Sequence, residues 1–158
     1  MNTQISLLQA EIQADIDDIE QAYLTLAAAS ERIAEPEMDV VVGYYLQVIY
    51  GLFENLFKRI AVTFGEQITD PVHWHARLLR RMTLAVPEMR ISVIDKETYR
   101  CLDELRRFRH LFHNAYILNF DRARLRIVLE EAQKLKQLYV PNLERFLEFL
   151  DTLVDVKD

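Results

Sequence analysis

The sequence predicts an all-α fold, a bundle of five or six helices that forms a single domain over residues 1–158. A chain of 158 residues with 51% apolar or aromatic side chains suits one hydrophobic core. With only 3 Gly and 4 Pro, the chain is poor in the residues that form the turns of β-sandwiches and hairpins. Apolar residues recur at steps of three and four along most of its length, which is the helical period.

The first two helices are predicted over residues 5–33 and 37–64. Residues from Ile5 to Leu26 repeat with the period of an amphipathic helix, which Glu35-Pro36 ends. The second segment is apolar around much of its circumference, so we expect it to lie at the centre of the bundle. Gly65 is a natural end for this helix.

Three aspartates mark the beginnings of the remaining helices. Asp70 precedes Pro71 and a short third helix over residues 73–82, and Asp95 is a plausible cap for a fourth helix over residues 96–116. Asp121 caps a fifth apolar pattern that runs to Leu153. Proline kinks or splits a helix, so Pro141 leaves open whether this pattern forms one helix or two.

The single cysteine and the lengths of the apolar runs indicate where in the cell the protein is expected. A single cysteine forms neither an intrachain disulfide nor a thiolate metal site, which favours a reducing, cytoplasmic location. No apolar run approaches the roughly 20 residues that span a bilayer, and the N-terminal segment is acidic rather than basic. We therefore expect a soluble protein with no membrane contact.

Charge is distributed unevenly along the chain. Residues 73–126 carry 12 Lys or Arg against six Asp or Glu, whereas the two flanks share 7 basic and 19 acidic residues. All four histidines also lie in the basic segment. The pattern fits either a local anion site or the pairing of acidic and basic helices within a bundle.

The fourth helix sorts its residues into two neighbouring faces. Leu105, Phe108, Phe112 and Ala115 share the apolar face. The polar face holds Arg106, Arg109, His110, His113 and Tyr116. Such a face is either solvated or faces an anionic partner, because arginine binds phosphate oxygens and histidine transfers protons near neutral pH. A symmetric dimer that joins two such faces would form a cleft suited to phosphodiester cleavage.

Other side chains offer weaker sites. His73 and His75 would point about 200° apart on a helix and could not share a metal ion there, so we expect no metal and no cofactor. Cys101 falls toward the apolar side of the fourth helix, where a buried thiol is expected. The tyrosines at positions 44, 45 and 50 are read as core residues, and the flanking carboxylates as solvated.

The segment RFRHLFHNAY, residues 107–116, resembles the signature of the HepT-like ribonucleases of the HEPN superfamily. Three further segments resemble family segments in the same order: LQVIYGLFENLFKRIA (46–61), HWHARLLRRM (73–82) and FDRARL (120–125). The resemblance implies an all-α homodimer whose metal-independent RNase site forms at the dimer interface. It also implies a toxin whose partner is a minimal nucleotidyltransferase (MntA-like) antitoxin, which in some systems attaches AMP to the motif tyrosine.

Carried over by position, the family motif assigns Arg109 as its arginine, His110 as the polar residue after it and Tyr116 as the tyrosine. The family histidine falls on Asn114, which cannot act as a general acid or base, and His113 stands one place earlier. One reading is that His113 has taken over proton transfer. The other is that the site is silent and the dimer only binds RNA or a nucleotidyltransferase.

The leading hypothesis is a toxin RNase that cleaves RNA by directing a 2′-hydroxyl at the adjacent phosphate. Arg109 stabilises the phosphate charge, His113 or His110 moves the proton, and Asn114 orients the substrate or the histidine. Arg106 and Arg107 are the expected RNA contacts. Tyr116 is the expected site of AMPylation. The alternative is a catalytically silent HEPN dimer.

Overall fold

The part of the chain that the structure describes folds into five α-helices. The computed structural model of the chain describes residues 2–114 and 121–156, with side chains described for residues 2–111 and 121–156. The helices are α1 (Asn2–Glu31), α2 (Met38–Thr63), α3 (Trp74–Arg81), α4 (Lys96–Asn114) and α5 (Arg122–Asp155). The described part of the chain holds no β-strand beyond one isolated bridge between Val86 and Arg90. The all-α fold is confirmed.

Helix α2 is central, as its apolar circumference predicts. It packs against each of the other four helices, and Tyr50, Phe53 and Phe57 are among the largest fully buried side chains. The edge of the Phe53 ring meets Tyr139 of α5 at a centroid distance of 5.2 Å. Burying these aromatic rings contributes to the hydrophobic stabilisation of the bundle, and the Phe53–Tyr139 contact joins α2 to α5.

Helix α2 also tests the prediction that no segment of the chain is apolar enough to span a membrane. By length and composition alone, α2 would be long and apolar enough to cross a bilayer, contrary to the prediction that no segment reaches this limit. Half of its most apolar window is buried against the rest of the chain, as is common for the core helix of a soluble protein.

The predicted helix ends have clear physical causes. Gly65 adopts a left-handed conformation with φ of 69°, and the Glu66 amide donates to the Ala61 carbonyl oxygen at 2.8 Å, which closes α2 with a Schellman-type turn. Asp95 accepts a hydrogen bond from the Thr98 amide at 2.8 Å, and Asp121 accepts one from Ala123 at 3.0 Å.

Asp70 accepts from the amides of Val72 and His73 and so caps a turn, and α3 begins only at Trp74. The proline turn after Asp70 therefore precedes the third helix by a few residues.

Helix α5 is continuous through Pro141, so residues 122–155 form one helix rather than two. Asn142, the next residue, is buried and donates to the Leu138 carbonyl oxygen at 2.8 Å and to the Thr98 hydroxyl at 2.9 Å. Its side-chain oxygen accepts from the Asp95 amide at 2.8 Å. These bonds fasten α5 to the start of α4 at the point where proline removes a backbone donor.

An ion pair stabilises the connection between α3 and α4. Arg90 has a fully buried side chain and makes two hydrogen bonds of 2.8 Å to the carboxylate of Glu66. It also donates to the carbonyl oxygens of Arg81, Leu84 and Ile91. Arg90 thus belongs to the interior and not to an anion site, although its charge contributes to the basic segment.

Candidate functional site

A cleft of about 600 Å³ opens between α2, α3 and α4. Its wall is basic, because the polar face of α4 meets the histidines at the start of α3. The residues that line it are Tyr50, Val72, His73, His75, Ala76, Arg106, Arg109 and His110.

Glu54 of α2 joins the elements that surround the cleft. One carboxylate oxygen accepts a hydrogen bond from Arg109 Nη1 at 3.0 Å, and the other lies 2.6 Å from His75 Nδ1. The Glu54 side chain is only 4% exposed. A carboxylate this deeply buried requires such partners, so the charge on Glu54 fixes side chains from α3 and α4 relative to α2.

Tyr50 lies one helical turn before Glu54 and is buried. The Arg109 guanidinium carbon lies 5.7 Å from the centre of its ring, within range of a cation–π interaction. Burial, and then the nearby Glu54 carboxylate, raise the pKa of Tyr50 well above its ordinary value. Its phenol therefore stays protonated and is a neutral hydrogen-bonding group at the cleft.

His73, just before α3, and His75, in its first turn, differ in exposure and in their contacts. His75 is 40% exposed, and its imidazole stacks on Trp74 with a centroid distance of 3.6 Å. His73 is 70% exposed and lies 3.3 Å from the carboxylate of Asp70. Hydrogen bonds from the His73 and Val72 amides lower the pKa of Asp70.

The described part of α4 confirms the two predicted faces. Leu105 and Phe108 are buried in the core. Arg106, Arg109 and His110 line the cleft, with Arg109 mostly buried and His110 exposed.

Arg107 is exposed and is not among the residues that line the cleft. It pairs with Asp103 at 3.0 Å. Arg106 also bonds to Asp103, at 2.9 Å, so this one carboxylate serves both of the predicted RNA contacts.

The remaining predicted residues lie at the end of α4 or beyond it. His113 and Asn114 form part of the last turn of α4, and their side chains lie outside the described residues. The same holds for the side chains of Phe112 and Ala115, which are predicted on the apolar face of the fourth helix. Tyr116 also lies outside the described residues. The assignments of these side chains remain predictions.

The structure shows features of both interpretations of the uneven charge, a basic pocket and the pairing of acidic with basic helices. Many arginines of the basic segment pair with carboxylates of the acidic flanks, as Arg90 does with Glu66, Arg109 with Glu54 and Arg122 with Asp39. The cleft nonetheless gathers two arginines and three histidines on one wall. Helix pairing and a basic pocket therefore coexist.

Glu54, His75 and Tyr50 are site residues that the sequence reading missed. The sequence reading considers the histidine pair only as a metal site and the flanking carboxylates as solvated. Tyr50 is in the core, as predicted, whereas the prediction that Tyr44 is a core residue is wrong, because its side chain is 53% exposed. A signal was present, because Glu54 is the one charged residue between Asp39 and Lys58 in an otherwise apolar helix. A lone carboxylate at a buried helical position indicates a buried partner.

Among residues 2–111 and 121–156, no group of three or more His, Cys, Asp or Glu side chains is arranged to hold a metal ion. Cys101 is buried, as predicted, and burial raises the pKa of its thiol to about 12. Among the described residues, the side chains suited to binding anions or transferring protons include the arginines and histidines of this cleft.

Together, the five-helix fold and the basic cleft define an all-α protein with a candidate anion-binding site between α2, α3 and α4. A family model for HepT-like proteins matches residues 41–150, which include every residue that lines this cleft. The chain therefore belongs to the HepT-like family of the HEPN superfamily. No curated protein and no solved structure matches the chain.

Proposed function

We propose that this protein is a metal-independent endoribonuclease and the toxin of a HEPN/MNT toxin–antitoxin pair. The observation that carries the proposal is the position of Arg109, which the buried Glu54 holds at the wall of a basic cleft. Arg109 is also the residue that the family motif assigns as its arginine. Family membership supports an RNase-type activity for such a cleft.

In the proposed reaction, the cleft binds the phosphate that will be cleaved. Arg109 and Arg106 provide donors for its oxygens, because guanidinium groups match the geometry of phosphate. The adjacent 2′-hydroxyl attacks the phosphorus, the 5′-oxygen leaves, and the product end is a 2′,3′-cyclic phosphate. A histidine of this surface moves the proton, with His113 and His110 as the candidates from the motif, and Asn114 orients the substrate.

A homodimer is part of the proposal. One face of α2 leaves apolar side chains partly or largely exposed: Tyr44 is 53% exposed, and Val41, Val48 and Leu52 are partly exposed. These four residues, which we call the α2 stripe, recur at helical spacing and so form one surface. Pairing of two α2 stripes would cover this surface and bring two basic clefts into one assembly.

The resemblance to HepT-like toxins supports the proposed partners, and the single cysteine supports the proposed compartment. We propose a cytoplasmic protein that needs no cofactor, acts on RNA and is neutralised by a minimal nucleotidyltransferase antitoxin that attaches AMP to Tyr116. The basic surface of α4 would receive the AMP phosphates.

The test is cleavage of labelled structured RNA by purified protein in EDTA, with Arg109→Ala prepared in parallel. Intact mass must first exclude an attached AMP. We expect wild-type cleavage that ends in a 2′,3′-cyclic phosphate and is absent from RNA with a 2′-deoxy group at the scissile position. Activity that survives in Arg109→Ala, or that requires a metal, would refute the proposed mechanism.

Asn114 favours a second candidate, a silent dimer that binds RNA or a nucleotidyltransferase without cleavage. The ion pairs of Arg106 and Arg107 with Asp103 are compatible with it, because they satisfy these arginines without substrate. Asn114→His distinguishes the two candidates. An inactive wild type that gains cleavage on this change supports the silent dimer, whereas an active wild type that keeps its rate supports the enzyme.

A further inference from the structure

His75, one of the histidines that line the cleft, has a buried carboxylate as its partner. Its Nδ1 lies 2.6 Å from a carboxylate oxygen of Glu54, and the Glu54 side chain is 4% exposed. The imidazole itself is 40% exposed and lines the cleft. A buried carboxylate behind a partly exposed imidazole is the arrangement that orients a histidine for proton transfer.

The hydrogen bond to Glu54 determines which nitrogen can react. An ionised carboxylate only accepts hydrogen bonds, so in this arrangement Nδ1 carries a proton and its N–H group donates a hydrogen bond to Glu54. In the neutral ring, Nε2 then has the free electron pair and is the basic atom. When Nε2 takes a proton, Glu54 stabilises the imidazolium that results, and stacking on Trp74 restrains the ring.

Glu54 also sets the distance between His75 and the phosphate-binding arginine. Its two oxygens bond to Arg109 Nη1 and to His75 Nδ1, so both side chains depend on a single carboxylate. A phosphate bound by Arg109 would therefore have a basic nitrogen in the same cleft. Asn114 cannot supply this function, because an amide neither takes nor gives a proton.

We propose that His75 is the general base of the RNase reaction and that Glu54 is its positioning residue. This inference rests on the proposed function. His75 Nε2 takes the proton of the 2′-hydroxyl as the 2′-oxygen bonds to phosphorus and the bond from phosphorus to the 5′-oxygen breaks. The 5′-oxygen takes a proton from water, and the hydroxide so formed removes the proton from His75, which restores the neutral imidazole.

The experiment compares His75→Ala, His75→Asn, Glu54→Gln and Arg109→Ala with the wild type in steady-state cleavage of RNA in EDTA. His75→Asn keeps a donor for Glu54 and so preserves packing if His75→Ala fails to fold. Both His75 variants should lose about 100- to 10,000-fold in kcat with KM little changed, as expected for a lost general base. Glu54→Gln should lose a comparable amount, because the amide can donate to Nδ1 and leave the proton on Nε2, so the histidine remains but in the wrong tautomer.

Rescue with added imidazole separates a chemical role from a structural one. Imidazole should restore cleavage by His75→Ala in proportion to its concentration and should not restore Arg109→Ala, for which a small guanidinium compound is the matching additive. A merely structural His75 would give variants with lower thermal stability and no response to imidazole.

A readout that needs no turnover uses 15N-labelled wild-type protein. A two-bond 1H–15N correlation spectrum of the histidine rings should show that His75 is protonated at Nδ1. Addition of a 2′-deoxy RNA analogue that cannot be cleaved should shift the Nε2 signal. Protonation at Nε2 instead, or no shift on saturation with this RNA, overturns the inference.

The two proposals fail in different ways. Wild-type cleavage with both His75 variants within about threefold of its kcat refutes the role of His75 and leaves the RNase intact. Absence of wild-type cleavage in protein free of AMP refutes the proposed function, and the role of His75 falls with it.

Discussion

Glu54 of α2 forms an ion pair of 3.0 Å with Arg109 of α4, 55 residues further along the chain. The Glu54 side chain is 4% exposed and that of Arg109 is 27% exposed, so the pair extends from the interior to the wall of the cleft. Arg109 consequently has a fixed orientation before any substrate arrives. Preorganised charge of this kind contributes more to a reaction than a flexible surface arginine, because little reorganisation is needed.

Arg109→Lys tests whether this geometry or only the charge matters. Lysine cannot bond to Glu54 and to a phosphate with the fork that guanidinium provides, so we expect at least a tenfold loss in kcat/KM. Stability should fall by only about 1 kcal/mol, because Glu54 still has a cation nearby. Single-turnover cleavage and urea unfolding measure the two quantities. Full activity in Arg109→Lys would mean that charge alone is sufficient.

The α2 stripe predicts the dimer interface. A glutamate at Val48 would place a charge in the middle of the proposed apolar contact, so Val48→Glu should convert the proposed dimer to a monomer without unfolding it. Light scattering after size-exclusion chromatography reports the mass. Leu24→Glu is the matched control, because Leu24 is an exposed apolar residue (61%) of α1 and lies outside the stripe. A Val48→Glu variant that stays dimeric would place the interface elsewhere.

The buried ion pair of Arg90 with Glu66, which lies outside the α2 stripe, predicts a large effect on stability. Glu66→Ala leaves the fully buried guanidinium of Arg90 without its carboxylate, which should cost about 3–5 kcal/mol in the free energy of unfolding. Arg32 and Glu35 form a surface pair with side chains 62% and 49% exposed. Glu35→Ala should therefore cost less than about 1 kcal/mol. Urea unfolding of both variants checks the contrast, and equal losses would contradict it.

The helices were predictable because their signals are local. The apolar period, the aspartate caps at Asp95 and Asp121, and Gly65 each act within a few residues, and the structure has helices at the predicted places. The continuity of α5 was not predictable, because the bonds of Asn142 to Asp95 and Thr98 are contacts between distant segments.

In the candidate site, too, local features could be predicted from the sequence and contacts between distant segments could not. The polar face of α4 could be derived from its own sequence, and Arg106, Arg109 and His110 do share the cleft. The partnership of Glu54 with His75 and Arg109 depends on how α2, α3 and α4 pack, which no local pattern encodes. Sequence reasoning therefore found the arginines and missed the carboxylate that positions Arg109.

Asp95 predicts how stability depends on pH at the start of α4. Burial acts to raise the pKa of Asp95, but hydrogen bonds from Thr98 and Asn142 outweigh it, and the net pKa lies below the ordinary value of 3.8. A carboxylate whose pKa is lowered on folding stabilises the folded state above its unfolded pKa. This contribution is lost as the pH falls from about 4 through the lower folded value.

Asp95→Asn separates the charge from the cap. Asparagine also caps helices well, so this variant should keep most of the stability but lose the part that depends on pH. Asp95→Ala should cost about 1–2 kcal/mol at pH 7, because the Thr98 amide loses its acceptor. The measurement is the free energy of unfolding in urea at pH 7, 5 and 3. The advantage of wild type over Asp95→Asn should shrink between pH 5 and 3, and a constant difference would show that the charge of Asp95 contributes nothing to folding.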